Sequence, residues 1–271
     1  MKYLKPLFLV IGIYLLVQGL GLWVSAGGFG VEKPMEQRVK EEPGLQLPIE
    51  NPEDPYSSLQ IFAYVIVSTA LLLLFIKLRL EKMIKLFINV AILLGLNITL
   101  SSFIGGIAIL PALLFVLLRL WKSENLLLMN IVLILTIPGI GSVLGTHLGP
   151  VPSLILLLIL AVYDIIAVFG TKHMVTLAEN AKGKIPMMIA IPVGDRHLGL
   201  GTGDLTIPLV FSVSLLREYG LANSVITSLG GCIGLIALFL YTIRKKDVML
   251  PALPPITAGL LLGFGLSLLI L

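Results

Sequence analysis

The chain has 271 residues and a net charge of +4, with 57% hydrophobic and only 13% charged residues, about half the charged share of a soluble domain. A single water-soluble core of this size cannot hide so much apolar surface, which excludes a cytosolic enzyme, a nucleic-acid-binding domain and a disordered chain together. One cysteine, Cys232, and three isolated histidines, His147, His173 and His197, supply neither an internal disulfide nor zinc-ligand spacing.

A helix needs roughly 20 apolar residues to cross the hydrocarbon of a bilayer. Nine such runs, bounded by charges, Gly or Pro, fall at about 6–26, 59–78, 83–100, 102–120, 126–145, 152–170, 198–216, 221–243 and 250–271. The expected fold is therefore all-α and polytopic: one membrane domain over 1–271, with helices one to six over about 6–170, a connecting loop at 171–197, and helices seven to nine over about 198–271. The first run is longer than the apolar stretch of a signal peptide and reads as a retained helix. The stretch 27–58, with five prolines and seven acids, reads as a loop.

Orientation follows from the basic residues. Lys2 and Lys5, the group from Lys77 to Lys85, Arg119 and Lys122, the group from Lys172 to Arg196, and Arg244 to Lys246 all fall on one side and make up 15 of the 19 Lys and Arg. Lys33, Arg38, Lys40 and Arg217 fall on the other. The basic side is the cytoplasmic one, so the N-terminus is expected in the cytoplasm, the loop 171–197 beside it, and the C-terminus outside. The protein is thus read as an integral, multi-pass membrane protein, in the cell membrane if it is prokaryotic.

Thirteen of the fifteen acids lie in loops or at helix ends; Asp164 and Asp204 lie within apolar runs. A charge at that depth costs about 2.5–3.5 kcal/mol and is retained for a partner or a function. For either acid alone, one hydrogen bond between helices would suffice. Together they say more: Asp164 is 12 residues from Pro152 and Asp204 is 13 residues from Arg217, each about 18–20 Å from the outer end of its helix. Gly199, Gly201 and Gly203 precede Asp204 at membrane depth, where alternating glycines make poor helix and irregular backbone survives only if buried or beside water. Pro251, Ala252 and Leu253, followed by two more prolines, open the ninth run on the same side of the membrane.

Tyr163-Asp164, Gly201-Thr202-Gly203-Asp204 and Pro251-Ala252-Leu253 resemble the YD, GxGD and PAL motifs of the presenilin and signal peptide peptidase family. The likeness extends over YDIIAVFGTKHMVT and LGTGDLTIPLVFS, while the first five helices match in number only. Membership would imply an intramembrane aspartyl protease with Asp164 and Asp204 as catalytic pair. It would give Tyr163, Gly201, Gly203, Pro251, Ala252 and Leu253 places in shaping the site or positioning substrate. It would imply no cofactor and no metal. The substrates would be transmembrane helices of membrane proteins, met within the lipid bilayer, with no nucleic acid involved; there is room for action without accessory subunits and for a homo-oligomer. The charge-derived orientation resembles presenilin, signal peptide peptidases being inverted, and the loop at 171–197 is shorter than presenilin's. The competing class is an ion- or proton-coupled transporter or channel, which also uses buried acids and broken helices. Against it stand the lack of inverted-repeat symmetry and the scatter of Asn89, Asn97, Asn130 and Thr136.

Overall fold

The computed structural model describes residues 4–27, 36, 54–78, 80–122, 124–170, 188–193, 196–244 and 250–271. Most of the polar stretch 27–58 and of the connection 171–197, with His173 and Asp195, lies outside these residues, as do Lys245 and Lys246. The described chain is helical apart from one hairpin. In order come α1 (Leu4–Ser25), α2 (Tyr56–Lys77), α3 (Glu81–Ile104), a tight 3-10 turn (Gly105–Ala108), α4 (Ile109–Trp121), α5 (Leu126–Thr146), α6 (Pro150–Ile165), which runs into a π-helical turn (Ile166–Gly170), the strands β1 (Met188–Val193) and β2 (Arg196–Gly201), α7 (Thr202–Arg244) and α8 (Leu253–Ile270).

Among the described residues, six helical stretches are long and apolar enough to cross a membrane. Two of these are roughly twice the length a crossing requires: Lys82–Trp121, with 40 residues, and Thr202–Thr242, with 41. The first is broken by the 3-10 turn, where Gly105 takes φ 66°. The second is broken inside α7 at Gly220, whose φ of 79° a residue with a side chain rarely adopts. That break falls beside Arg217 and Glu218, where charges interrupt the apolar run.

The hairpin corrects the sequence expectation, which placed a loop up to 197 and a helix from 198. Residues 196–201 are instead strand, paired antiparallel with 188–193 so that Ile189 faces Leu200 and Ala190 faces Gly199, and the helix begins only at Thr202. The reason is a period of two. Ile189, Ile191 and Leu200 are buried, whereas Met188 and Gly199 on the opposite face are exposed, so the glycines alternate with the side chain that enters the core.

The core runs through α1, α5, α6, the hairpin, α7 and α8, with Tyr14, Leu157, Ile189, Leu205, Phe211 and Leu260 fully buried within it. α8 lies against the second arm of α7 through small residues spaced by four. Gly230 and Gly234 meet Gly259 and Pro255 backbone to backbone, and a Cβ added at any of these three glycines would stand 2.1 to 2.3 Å from a carbonyl oxygen of the other helix. In contrast, many large apolar side chains of α2, α3 and α4 face outward, as a lipid-facing surface would have them.

Candidate active site

Asp164 lies one residue before the end of α6, where the α-helical ladder gives way to the π-helical turn. Its carboxylate reaches the start of α8: the Leu253 backbone N–H donates to Asp164 Oδ2 at 3.1 Å, and the Ala252 backbone is a second partner. The sequence of α8 explains why the contact falls there. The first N–H groups of a helix have no partner inside it, and Pro254 and Pro255 have none to offer, so among the first three residues of α8 only Leu253 has a donor to present. A carboxylate at this end also meets the positive pole of the helix.

Asp204 occupies the first turn of α7 and meets the positive pole of its own helix. Its carboxylate hydrogen-bonds the Gly201 backbone and interacts with the charge of Asp164. Each acid of the pair is therefore held by a helix start, one by its own and one by a neighbour's. A Cβ added at Gly201 would stand 2.7 Å from Asp204 Oδ2, while one added at Gly203 would meet nothing within 4 Å.

The alignment of α6 with the first arm of α7 is set well away from the pair. Ser153 Oγ and Ser214 Oγ, both buried, lie 2.5 Å apart. Asp164 is eleven residues along from Ser153, and Asp204 is ten residues back from Ser214. At 1.5 Å per residue the acids stand about 16 and about 15 Å from that shared point, which puts them at matching depth on antiparallel helices. From the other flank, Gln18 of α1 donates from Nε2 to Leu205 O at 3.2 Å, so α1 holds the residue beside Asp204.

The other residues singled out in the sequence take different positions. Leu253 buries its side chain against Ile61 of α2 and Leu156 and Leu160 of α6, Pro251 is buried and Ala252 half-buried. Tyr163 stands edge-on to Phe62 of α2, ring centroids 6.3 Å apart. A shallow, open apolar groove of about 390 Å³ lies beside the start of α8, lined by Ile165, Phe169, Tyr241, Leu250 and Pro251 among others. No group of three or more His, Cys, Asp or Glu suited to a metal occurs among the described residues. Gln18, Ser153 and Ser214 were missed in the sequence; an isolated polar residue within an apolar run was the available signal.

A family model described as signal-peptide peptidase, presenilin aspartyl protease matches residues 33–197, a span that contains Asp164 and ends before Asp204. No curated protein matches the chain. Two solved structures, each titled as a presenilin family intramembrane aspartate protease, are similar to it in fold. One, in space group C222, has a TM-score of 0.71 at 23% identity and covers 98% of this chain and 100% of its own. The other, in space group P2, has a TM-score of 0.67 at 24% identity, with 97% of both chains covered.

Proposed function

Because the chain belongs to the signal-peptide peptidase and presenilin family of intramembrane aspartyl proteases, we propose that Asp164 and Asp204 are its catalytic pair. What supports this reading is that the two acids within the apolar runs feel each other's charge at matching depth, Asp204 held by the start of its own helix and Asp164 by the start of α8. Two carboxyls in one such site cannot both ionise cheaply, so they share a single proton. One carboxylate then takes a proton from the attacking water while the other, protonated, donates to the scissile carbonyl. The gem-diol then collapses with cleavage of the C–N bond: the first carboxyl gives its new proton to the leaving amine while a gem-diol hydroxyl returns a proton to the second, which restores the pair. Nothing in the comparisons favours the transporter alternative.

A substrate helix hides its carbonyls in its own hydrogen bonds, so it must unwind before water can attack, and the freed backbone needs partners inside the membrane. The strand β2 ends three residues before Asp204 and can take an added strand through its outer edge. Gly201 keeps the backbone close to Asp204, the exposed Gly203 leaves room for the approaching peptide, and the open apolar groove at Pro251 offers a surface for apolar substrate side chains. Tyr163, with its ring against Phe62, stands beside Asp164 in the chain, where it can position substrate. The breaks at Gly105–Ala108 and Gly220 divide the two long stretches, and together with the 22-residue α2 this supports nine crossings in one membrane domain. The distribution of Lys and Arg supports a cytoplasmic N-terminus and an external C-terminus in a cell membrane, and hence substrates whose N-termini lie outside.

Every group this chemistry calls for belongs to the one chain, so the test uses the purified protein alone in lipid with a single-span helical substrate. Asp164→Asn and Asp204→Asn should each abolish cleavage while leaving the protein folded. Cleavage by either variant within a few-fold of wild type would remove the pair from the mechanism.

A further inference from the structure

We propose that Asn130 is a positioning residue for peptide cleavage: its side-chain amide closes the outer edge of β1 and so fixes the hairpin that stands beside Asp204. The proposal rests on the protease reading above. Asn130 lies in the first turns of α5, where Leu126–Met129 precede it and Ile131–Ile134 follow. Its amide makes both of the bonds that a neighbouring strand would make to a single residue. The Nδ2 donates to Ala190 O at 2.8 Å, and Oδ1 accepts from the Ala190 N–H at 2.9 Å. The two residues are 60 apart in sequence, and the pairing joins α5 to the middle of β1.

This pairing identifies the edges of the hairpin. A residue in an antiparallel ladder turns both of its backbone groups toward its partner strand or both away from it. Those of Ala190 go to Asn130, so Ala190 and Gly199 form a pair without mutual hydrogen bonds. The N–H and C=O of Gly199 therefore face the outer edge of β2, and two residues further on so do those of Gly201, whose backbone partner is the Asp204 carboxylate. An open strand edge pairs with whatever extended peptide reaches it. With β1 packed against α1 and α5 and its central residue taken by Asn130, the edge left is the one that leads into Asp204. An amide within an apolar helix is costly unless both ends are partnered, and here Ala190 partners both.

The test reads the latch and the chemistry separately. In Asn130→Leu, amide hydrogen exchange at Ala190, measured without substrate, should speed up about tenfold, with exchange in the first turns of α7 unchanged. On a single-span substrate kcat should fall about tenfold, the size expected from losing two buried hydrogen bonds, with KM within about twofold, because the helix still docks while its unwound segment is misaligned. Ala190→Pro removes the donated N–H from the outer edge and leaves the ladder to β2 intact, so it carries the test should the leucine variant fail to fold; it should lower kcat in the same way. The double variant should be no slower than Asn130→Leu, since both changes break one latch. Unchanged exchange at Ala190, a kcat within twofold of wild type, or losses that add in the double variant would each overturn the proposal. A wild-type protein that cuts no substrate would sink the protease reading itself, and the exchange data would still report whether the latch exists.

Discussion

Gly234→Ala is expected to cost about a hundredfold in cleavage without preventing membrane insertion. A Cβ at this position would stand 2.1 Å from Pro255 O, 2.8 Å from Pro255 C and 2.9 Å from Ile256 Cα. All three are backbone atoms, so no side chain can rotate out of the way. Ordinary contact begins near 3.4 Å, and the second arm of α7 and the start of α8 would have to part by more than an ångström. Pro255 is two residues from Leu253, whose N–H donates to Asp164, so the displacement is applied where α8 meets the pair. A misplacement of about 1 Å at reacting groups costs on the order of a hundredfold, and overpacking of this kind costs about 1–3 kcal/mol of stability. The assay is single-turnover cleavage of a single-span substrate in proteoliposomes, with thermal unfolding recorded on the same sample. Gly265→Ala is the control, because a Cβ there meets nothing within 4 Å; it should leave both readings unchanged. Cleavage by Gly234→Ala within threefold of wild type would refute the claim that contact between α7 and α8 sets the position of Leu253.

Gly201→Ala should lower kcat by about tenfold or more at unchanged KM, because its Cβ would push against Asp204 Oδ2; steady-state kinetics beside Gly203→Ala, which meets nothing and should melt as wild type does, separate the two glycines. For topology, a reporter active only in the cytoplasm should work when fused after Lys246 and fail after Leu271, and the reverse pattern would overturn the orientation drawn from the basic residues.

The acids are legible in the sequence because charge is expensive in hydrocarbon, and the helices because apolar runs of spanning length are hard to read otherwise. The hairpin was not. Its strands have six residues each, Pro192 and two glycines weaken the strand pattern, and the alternation of Leu200 with Gly199 and Gly201 reads equally as a broken helix start. What settles it is distant: the ladder to 188–193 and the Asn130 amide on α5. The same holds for the matching depth of the acids. Residue counts to Pro152 and Arg217 suggested it, but the contact that aligns the helices is between Ser153 and Ser214, and hydroxyls in apolar helices bond equally well to their own backbone. That α8 supplies Asp164 with a donor depends on where the chain brings Leu253, and no local pattern encodes that.

Depth also predicts where a substrate is first cut. Asp164 is fourteen residues from the start of α6 at Pro150, and Asp204 sixteen from the break at Gly220, distances of about 21 and 24 Å along helices of 1.5 Å rise. In a hydrocarbon core of about 30 Å the pair stands within roughly 6–9 Å of the cytoplasmic edge on the proposed orientation. The hairpin and the start of α8 lie on that same side, so an unwinding substrate finds backbone partners there and not deeper in the membrane. Scission should therefore begin in the cytoplasmic third of the substrate helix. Glycine or proline placed in that third should speed it, since each lowers the cost of opening the helix by about 1 to 3 kcal/mol, whereas the same residues in the outer third should leave the rate unchanged. Mass spectrometry of the earliest products of a single-span substrate locates the cut. A first site in the outer third would refute the depth argument, even for an enzyme whose two aspartates both proved essential.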